Sequence, residues 1–302
     1  MEPKRFKRSA LPDTTSDEIQ PSDQYFACPQ VDISKLAHPP GGKLRLGDPK
    51  DKNEKPVEDC LFCDIYVPRS ALQSNQSDLL PVIVWIYGGG YVAGSKNANG
   101  PLNSGQSILK ASNYQTIFIT GNYRVGAFGW LAGDYMQTPG VGQPNAGLYD
   151  QALLLEMVHK HVDQVKGDKT RVTAWGESAG AGSILHHLIR EDGTQDPLFK
   201  TFAVQSPAFQ WAWDNSPNGE LDTIYLTFSN LSGCGWNYDI DCLRNAPLEK
   251  LEVANQMLFD NVRQTGLFPV GPAVDGDWVK SIPTVAFSQG KPKNSNPYIK
   301  DG

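Results

Sequence analysis

Arg171-Val172-Thr173-Ala174-Trp175-Gly176-Glu177-Ser178-Ala179-Gly180 is the stretch that decides the fold. Its first five residues read as a short strand, and a helix follows from about Ala179 to Ile189. A backbone that passes so abruptly from strand to helix must bend sharply at Ser178. The bend strains the serine, and only small neighbours at Gly176 and Gly180 let the helix pack back. It also thrusts the Ser178 hydroxyl out above a sheet, at a helix N-terminus where unpaired N–H groups and the helix dipole favour negative charge. In a chain with 29 glycines the Gly-x-Ser-x-Gly spacing alone is a weak signal. Its place between strand and helix makes it a strong one.

Outward from this bend, elements of both kinds alternate. Pro81-Val82-Ile83-Val84-Trp85-Ile86-Tyr87 is a nearly continuous apolar run ended by Gly88-Gly89-Gly90, the pattern of a strand buried on both faces. Thr116-Ile117-Phe118-Ile119-Thr120, closed by Gly121, is a second such run, and Phe202-Ala203-Val204-Gln205 a fourth strand. Between them, Ala146 to Val165 reads as a long helix with Leu148, Ala152, Leu155, Val158 and Val162 on one stripe. Alternating strands and helices imply crossover units, hence a mostly parallel sheet with helices on both faces. Chemistry in such sheets gathers at the carboxyl ends of the strands, where both glycine clusters lie. After Phe209 the text becomes helical and less regular, as in a cap or lateral region.

The bulk properties narrow the partners. A chain of 302 residues with a net charge of −6 is a poor match for nucleic acid. The basic start, Lys4-Arg5-Phe6-Lys7-Arg8, is too short to alter that and is expected to be a solvated terminus, with residues 1–27 poorly ordered and 28–302 one domain. No apolar run reaches the roughly 18 residues of a membrane span, and the N-terminus lacks the apolar core of a secretory signal. Cys234 and Cys242 flank a polar loop and read either as a short disulfide or as two buried thiols. The sequons Asn75-Gln76-Ser77 and Asn230-Leu231-Ser232 lean towards the oxidised, secreted reading.

Ser178 at such a bend suits acyl transfer, which also needs donors for a tetrahedral oxyanion. A glycine loop lets backbone N–H groups approach a substrate unobstructed, so Gly89 and Gly90, with the N–H of Ala179, would make a three-donor hole. The alternative, a mere tight turn, is weaker because the loop and the serine bend occur in one chain.

Longer motifs then bring a resemblance. Glu58-Asp59-Cys60-Leu61 with Ile65-Tyr66-Val67-Pro68, then Asn122 to Gly129, Asn145 to Gln151 and Arg171 to Gly182, resemble the ordered motifs of type-B carboxylesterases and lipases, cholinesterase-like α/β-hydrolases, most closely the fungal members. The match runs from about Cys28 to Gly290. It implies the α/β-hydrolase fold, secretion, and hydrolysis of small-molecule or lipid carboxylic esters without metal or cofactor. It also implies disulfides Cys28–Cys60 and Cys234–Cys242, with Cys63 free. Tyr87 departs from the family, many of whose members have His before the glycines, and leaves the backbone donors unaffected. Glu177 matches an acidic residue that lines the family's gorge and tunes an imidazolium; equally, it is an acid at a helix N-terminus, favoured by the dipole.

A serine hydroxyl needs a hydrogen-bonded base that an acid orients, in the chain order Ser, Asp or Glu, His. After Ser178 come only His186 and His187, about 12 Å or more up the same helix at 1.5 Å per residue. His159 and His161 fit packing or surface roles, and His38 has no positional match to the family base. Phe268 to Gly276 resembles the segment leading to the family's acid, yet no Asp-Glu-Gly turn follows, and Asp301 is a poor substitute. The expectation is thus an incomplete family member, short at its start and truncated before the last strands, with little turnover of its own. A second reading is a non-catalytic binding or adhesion module of the same family, against which the retained Ser178 argues.

Overall fold

The computed structural model describes residues 5–11, 26–33, 55–73, 78–97, 104–209, 213–259 and 268–291. A two-residue parallel pair, β1 (Phe26–Ala27) and β2 (Lys55–Pro56), lies near the Cys28–Cys60 disulfide. The main sheet contains β3 (Cys63–Tyr66), β4 (Leu80–Ile86), β5 (Ile117–Gly121), β6 (Gly167–Glu177) and β7 (Thr201–Gln205), in the spatial order β3-β5-β4-β6-β7. β3 runs antiparallel to β5, and every other pairing is parallel.

The apolar run of β4 has the burial its composition demands. Val82 and Val84 are fully enclosed, and Val84 lies in register with Ile119 of β5 on one side and Ala174 of β6 on the other. Trp85 meets Trp175 edge to face, ring centroids 5.6 Å apart. β6 is longer than the strand expected over 171–175, because Gly167 pairs with Leu80 through a register shift before the regular ladder begins at Val82. β7 differs from its neighbours, since Thr201, Phe202 and Ala203 are all exposed.

Four short helices, α1 (Arg69–Gln73), α2 (Gly105–Ala111), α3 (Gly126–Trp130) and α4 (Asp134–Gln137), come first along the chain, and longer helices flank this sheet. The long helix α5 (Ala146–His161) buries Leu148, Ala152, Leu155 and Val158, the stripe read from the sequence, and then tightens into a 3₁₀ turn over Val162–Val165. α6 (Ala179–Leu188) follows β6 directly. The lateral helical region comprises α7 (Glu220–Leu231), α8 (Ile240–Asn245) and α9 (Leu248–Leu258).

The start of the chain corrects one expectation. Phe6 is 1% exposed, stacks on Phe128 and meets Phe228 edge to face. Arg5 pairs with Glu58 and donates to the carbonyls of Arg244 and Ala246, joining α8 to the main body. A basic stretch with one aromatic looked solvated. In fact Phe6 fills an aromatic pocket, and the Arg5 guanidinium satisfies carbonyls at the end of a helix. Residues 12–25, the rest of the segment expected to be poorly ordered, lie outside the described residues. Both implied disulfides are present: Cys28–Cys60 with Cα atoms 5.0 Å apart and Cys234–Cys242 with 5.9 Å. Cys63 is free, and burial pushes its thiol up to about 11.

Candidate active site

β6 ends at Glu177 and α6 begins at Ala179, so Ser178 makes the whole turn. Its φ of 55° and ψ of −120° lie where side chains are rarely tolerated. Three backbone hydrogen bonds hold it there. Ser178 N–H donates to Gln205 O of β7 at 2.9 Å, while Ser178 O accepts from Gly182 N at 3.0 Å and Ala208 N at 2.9 Å. The carbonyl of Ala208 in turn accepts the Tyr91 hydroxyl at 2.8 Å. The glycines are sterically required. A Cβ on Gly180 would sit 2.0 Å from Ile86 O, and one on Gly176 would sit 2.7 Å from the Gly180 carbonyl carbon.

The triple-glycine loop at the end of β4 presses on this turn. A Cβ on Gly88 would lie 3.0 Å from Ser178 Cβ and 2.9 Å from Glu177 Oε2. Gly89 and Gly90 have φ of 114° and 65°, and the N–H groups of Val92 and Ala93 both donate to Gly89 O at 3.1 Å. Gly88, Glu177 and Ser178 thus meet at the carboxyl ends of adjacent strands, with Gly89 and Gly90 continuing the loop and Ala179 buried at the start of α6.

Two further features were not read from the sequence as parts of this site. Tyr87 and Tyr123, each just past the end of a strand, lock together: Tyr87 Oη donates to Tyr123 O at 2.8 Å, Tyr123 Oη donates to Tyr87 O at 2.8 Å, and their rings stack at 4.3 Å. The signal was available, since β4 and β5 are adjacent and both run into tyrosine. The other is Phe268, whose ring lies 2.7 Å from where a Gly90 Cβ would stand. Nothing local in the sequence announces a contact at that separation.

The histidines stand elsewhere. His186 Nδ1 hydrogen-bonds to Gly182 O at 2.8 Å and His187 Nε2 to Gln151 Oε1 at 3.1 Å. Burial holds them at about 4 and about 3, so both are neutral near pH 7. His161 pairs with Gln164, and His159 Nδ1 is buried without a partner among the described residues. Among the described residues, no histidine hydrogen-bonds to the Ser178 hydroxyl. His38 and Asp301 lie outside the described residues. Asp275 accepts from Asn145 Nδ2 at 2.7 Å and from Val279 N at 2.9 Å, fastening the Phe268–Gly276 segment to the start of α5. Among the described residues, no cluster of three or more His, Cys, Asp or Glu is placed to hold a metal ion, and no helix is long and apolar enough to cross a membrane.

The sequence model described as the Carboxylesterase family matches residues 1–299. The chain belongs to the carboxylesterase family. This carboxylesterase-family chain is 40% identical over 247 residues to a "Secreted lipase" of Arthroderma benhamiae, covering 80% of itself and 46% of that relative. It is 33% identical over 294 residues to an acetylcholinesterase of Danio rerio, covering 95% of itself and 43% of the relative. The crystal structure of EstA from Aspergillus niger superimposes with a TM-score of 0.74 at 28% identity, over 96% of this chain and 52% of that one. The fold is therefore that of an α/β-hydrolase. The chain spans about half the length of the relatives it matches.

Proposed function

We propose that this carboxylesterase-family chain bears the nucleophile and oxyanion donors of a secreted hydrolase acting on small-molecule or lipid carboxylic esters. Ser178 is the attacking group, and the backbone N–H groups of Gly89, Gly90 and Ala179 are the oxyanion donors. Ser178 Oγ adds to the ester carbonyl, charge builds on the carbonyl oxygen, and the alcohol leaves when the tetrahedral adduct collapses to an acyl-serine. Water then releases the acid by the same route. Glu177, beside Gly88, adds negative charge to the rim of the site. The single observation behind this reading is the approach of Gly88 to Ser178 at a backbone conformation of φ 55°. Secretion is supported by the kinship with a secreted lipase and by two disulfides, which persist in oxidising compartments.

The proton acceptor is the remaining requirement. His186 and His187 are engaged elsewhere, and no described histidine hydrogen-bonds to the Ser178 hydroxyl, so turnover is expected to be slow and to rise when a base is supplied. Without a triad member, oxyanion donors and binding still leave an acceleration on the order of a thousandfold over water. The test is hydrolysis of a short-chain aryl ester by the full chain and by Ser178→Ala, each with and without added imidazole as a substitute base. Wild-type protein is expected to gain rate from imidazole beyond the gain shown by Ser178→Ala. Equal rates for the two proteins in both conditions would sink the assignment of Ser178. Fast turnover without imidazole would sink this account of the base.

A further inference from the structure

The sequon Asn230-Leu231-Ser232 plays no part in the hydrolytic reading. It sits where α7 ends and the Cys234–Cys242 ring begins. Asn230 is exposed, and its side-chain amide hydrogen-bonds to none of the described residues. Ser232 is the opposite. It is 3% exposed, it caps α7, and its Oγ donates to Phe228 O at 2.8 Å. Such back-bonding takes up the hydroxyl within the helix turn. The turn is held from the ring side as well: Cys234 N donates to Ser229 O at 2.9 Å, and Ser229 Oγ donates to Asn237 O at 3.1 Å inside the ring.

An asparagine amide is a poor nucleophile. A transferase therefore needs the hydroxyl of the sequon's third residue free to help engage the amide, which requires a sequon not yet wound into a helix. In the folded chain that hydroxyl is buried and bonded, while the acceptor nitrogen alone points outward. We propose that Asn230 is an N-glycosylation site modified during synthesis, before the Cys234–Cys242 ring closes, and that folding then leaves the glycan on the surface. The donor is a lipid-pyrophosphate-linked oligosaccharide of the secretory lumen. The Asn230 amide nitrogen forms a bond to the anomeric carbon and gives up one proton. The bond from that carbon to the pyrophosphate oxygen breaks, and the pyrophosphate leaves with the electron pair. The glycan would emerge beside the ring that carries Trp236, 62% exposed, and Tyr238, 41% exposed. The proposal rests on passage through a secretory lumen and is independent of hydrolysis.

The full chain is secreted from a eukaryotic host behind an added leader, with a C-terminal sequon tag that reports arrival in the lumen. Peptide mapping before and after enzymatic deglycosylation reads the occupancy of Asn230. Wild type is expected to carry a glycan there, and Asn230→Gln and Ser232→Ala each to lose one glycan. The double variant Cys234→Ser, Cys242→Ser is expected to show a larger occupied fraction than wild type. A glycosylated tag beside an unmodified Asn230 in both wild type and the cysteine variant would overturn the site. Equal occupancy with and without the ring would overturn the proposed order of events.

Discussion

The two ends of α6 carry polar groups in opposite situations. At its N-terminus Ser178 has a strained backbone, tightly held by Gln205, Gly182 and Ala208, and a half-buried hydroxyl that bonds to none of the described residues. At its C-terminal end His186 and His187 sit in ordinary helix, almost fully buried, each with a ring nitrogen already bonded. One end holds a strained serine with its hydroxyl still available, the group we propose as nucleophile, and the other uses polar groups to complete a core. A histidine close to a catalytic serine in sequence is therefore no evidence of a catalytic pair. What matters is whether the group's hydrogen-bonding capacity is still available.

The largest expected effect lies at the histidine end. Burial depresses the imidazoles from 6.5 to about 4 for His186 and about 3 for His187, with Arg190 adding to the effect on His187. Below pH 6.5 the unfolded chain binds protons that the folded chain refuses. The stability present above that pH is therefore lost as pH falls towards 4, at about 1.4 kcal/mol per pH unit for each imidazole. The pair accounts for about 4 kcal/mol between pH 7 and 5. Denaturant unfolding of wild type and of His186→Gln and His187→Gln across that range measures it. Each substitution is expected to flatten the slope by one proton, and an unchanged slope in both would remove the contrast between the two ends.

The next effect lies at the serine end. Gly180→Ala places a Cβ 2.0 Å from Ile86 O, a backbone atom that cannot swing aside. A loss of about 3 kcal/mol is expected, as for an overpacked core. Denaturant unfolding reads it directly, and a midpoint within error of wild type would show that the β4–α6 approach is looser than described.

Much of this was legible in advance, for physical reasons that differ by residue. The runs ending at Tyr87 and Gly121 were readable because strands buried on both faces must be apolar throughout. The Ser178 turn was readable because only glycine fits at 176 and 180. The disulfide pairings followed from kinship, not from spacing. Arg5 and Phe6 were illegible, since their partners Glu58, Arg244 and Phe228 are distant in sequence and nothing local distinguishes a packed arginine from a solvated one. β3 was also missed as a strand: Cys63-Asp64-Ile65-Tyr66 mixes polar and apolar residues, as an antiparallel strand at the sheet's edge permits. The Tyr87–Tyr123 pair was missed because its bonds run from side chain to backbone across two strands.

That pair offers a smaller, sharper test. Tyr87→Phe removes the donor to Tyr123 O and leaves both Tyr123 O and the Tyr123 N–H, which now reaches Tyr87 Oη at 3.2 Å, without this buried partner. A loss of about 2 kcal/mol is expected. If the pair positions the glycine loop, imidazole-assisted hydrolysis by Ser178 should also fall through kcat with KM nearly unchanged. A stability loss with kcat intact would make the tyrosines purely structural.

The smallest effect separates strain from chemistry at Ser178 itself. Ser178→Ala and Ser178→Gly both delete the hydroxyl, so both should abolish the serine-dependent rate. They differ in the backbone. Alanine keeps a Cβ at φ 55° and ψ −120° and so keeps the strain, which costs about 1–3 kcal/mol at such positions. Glycine relieves it, at the expense of about 0.5–1 kcal/mol of extra freedom in the unfolded chain. Ser178→Gly is therefore expected to be more stable than Ser178→Ala by about 1 kcal/mol, measured by denaturant unfolding at neutral pH, where His186 and His187 are silent. Were glycine no more stable than alanine, the turn would store no strain. The two ends of α6 would then differ only in what their side chains touch.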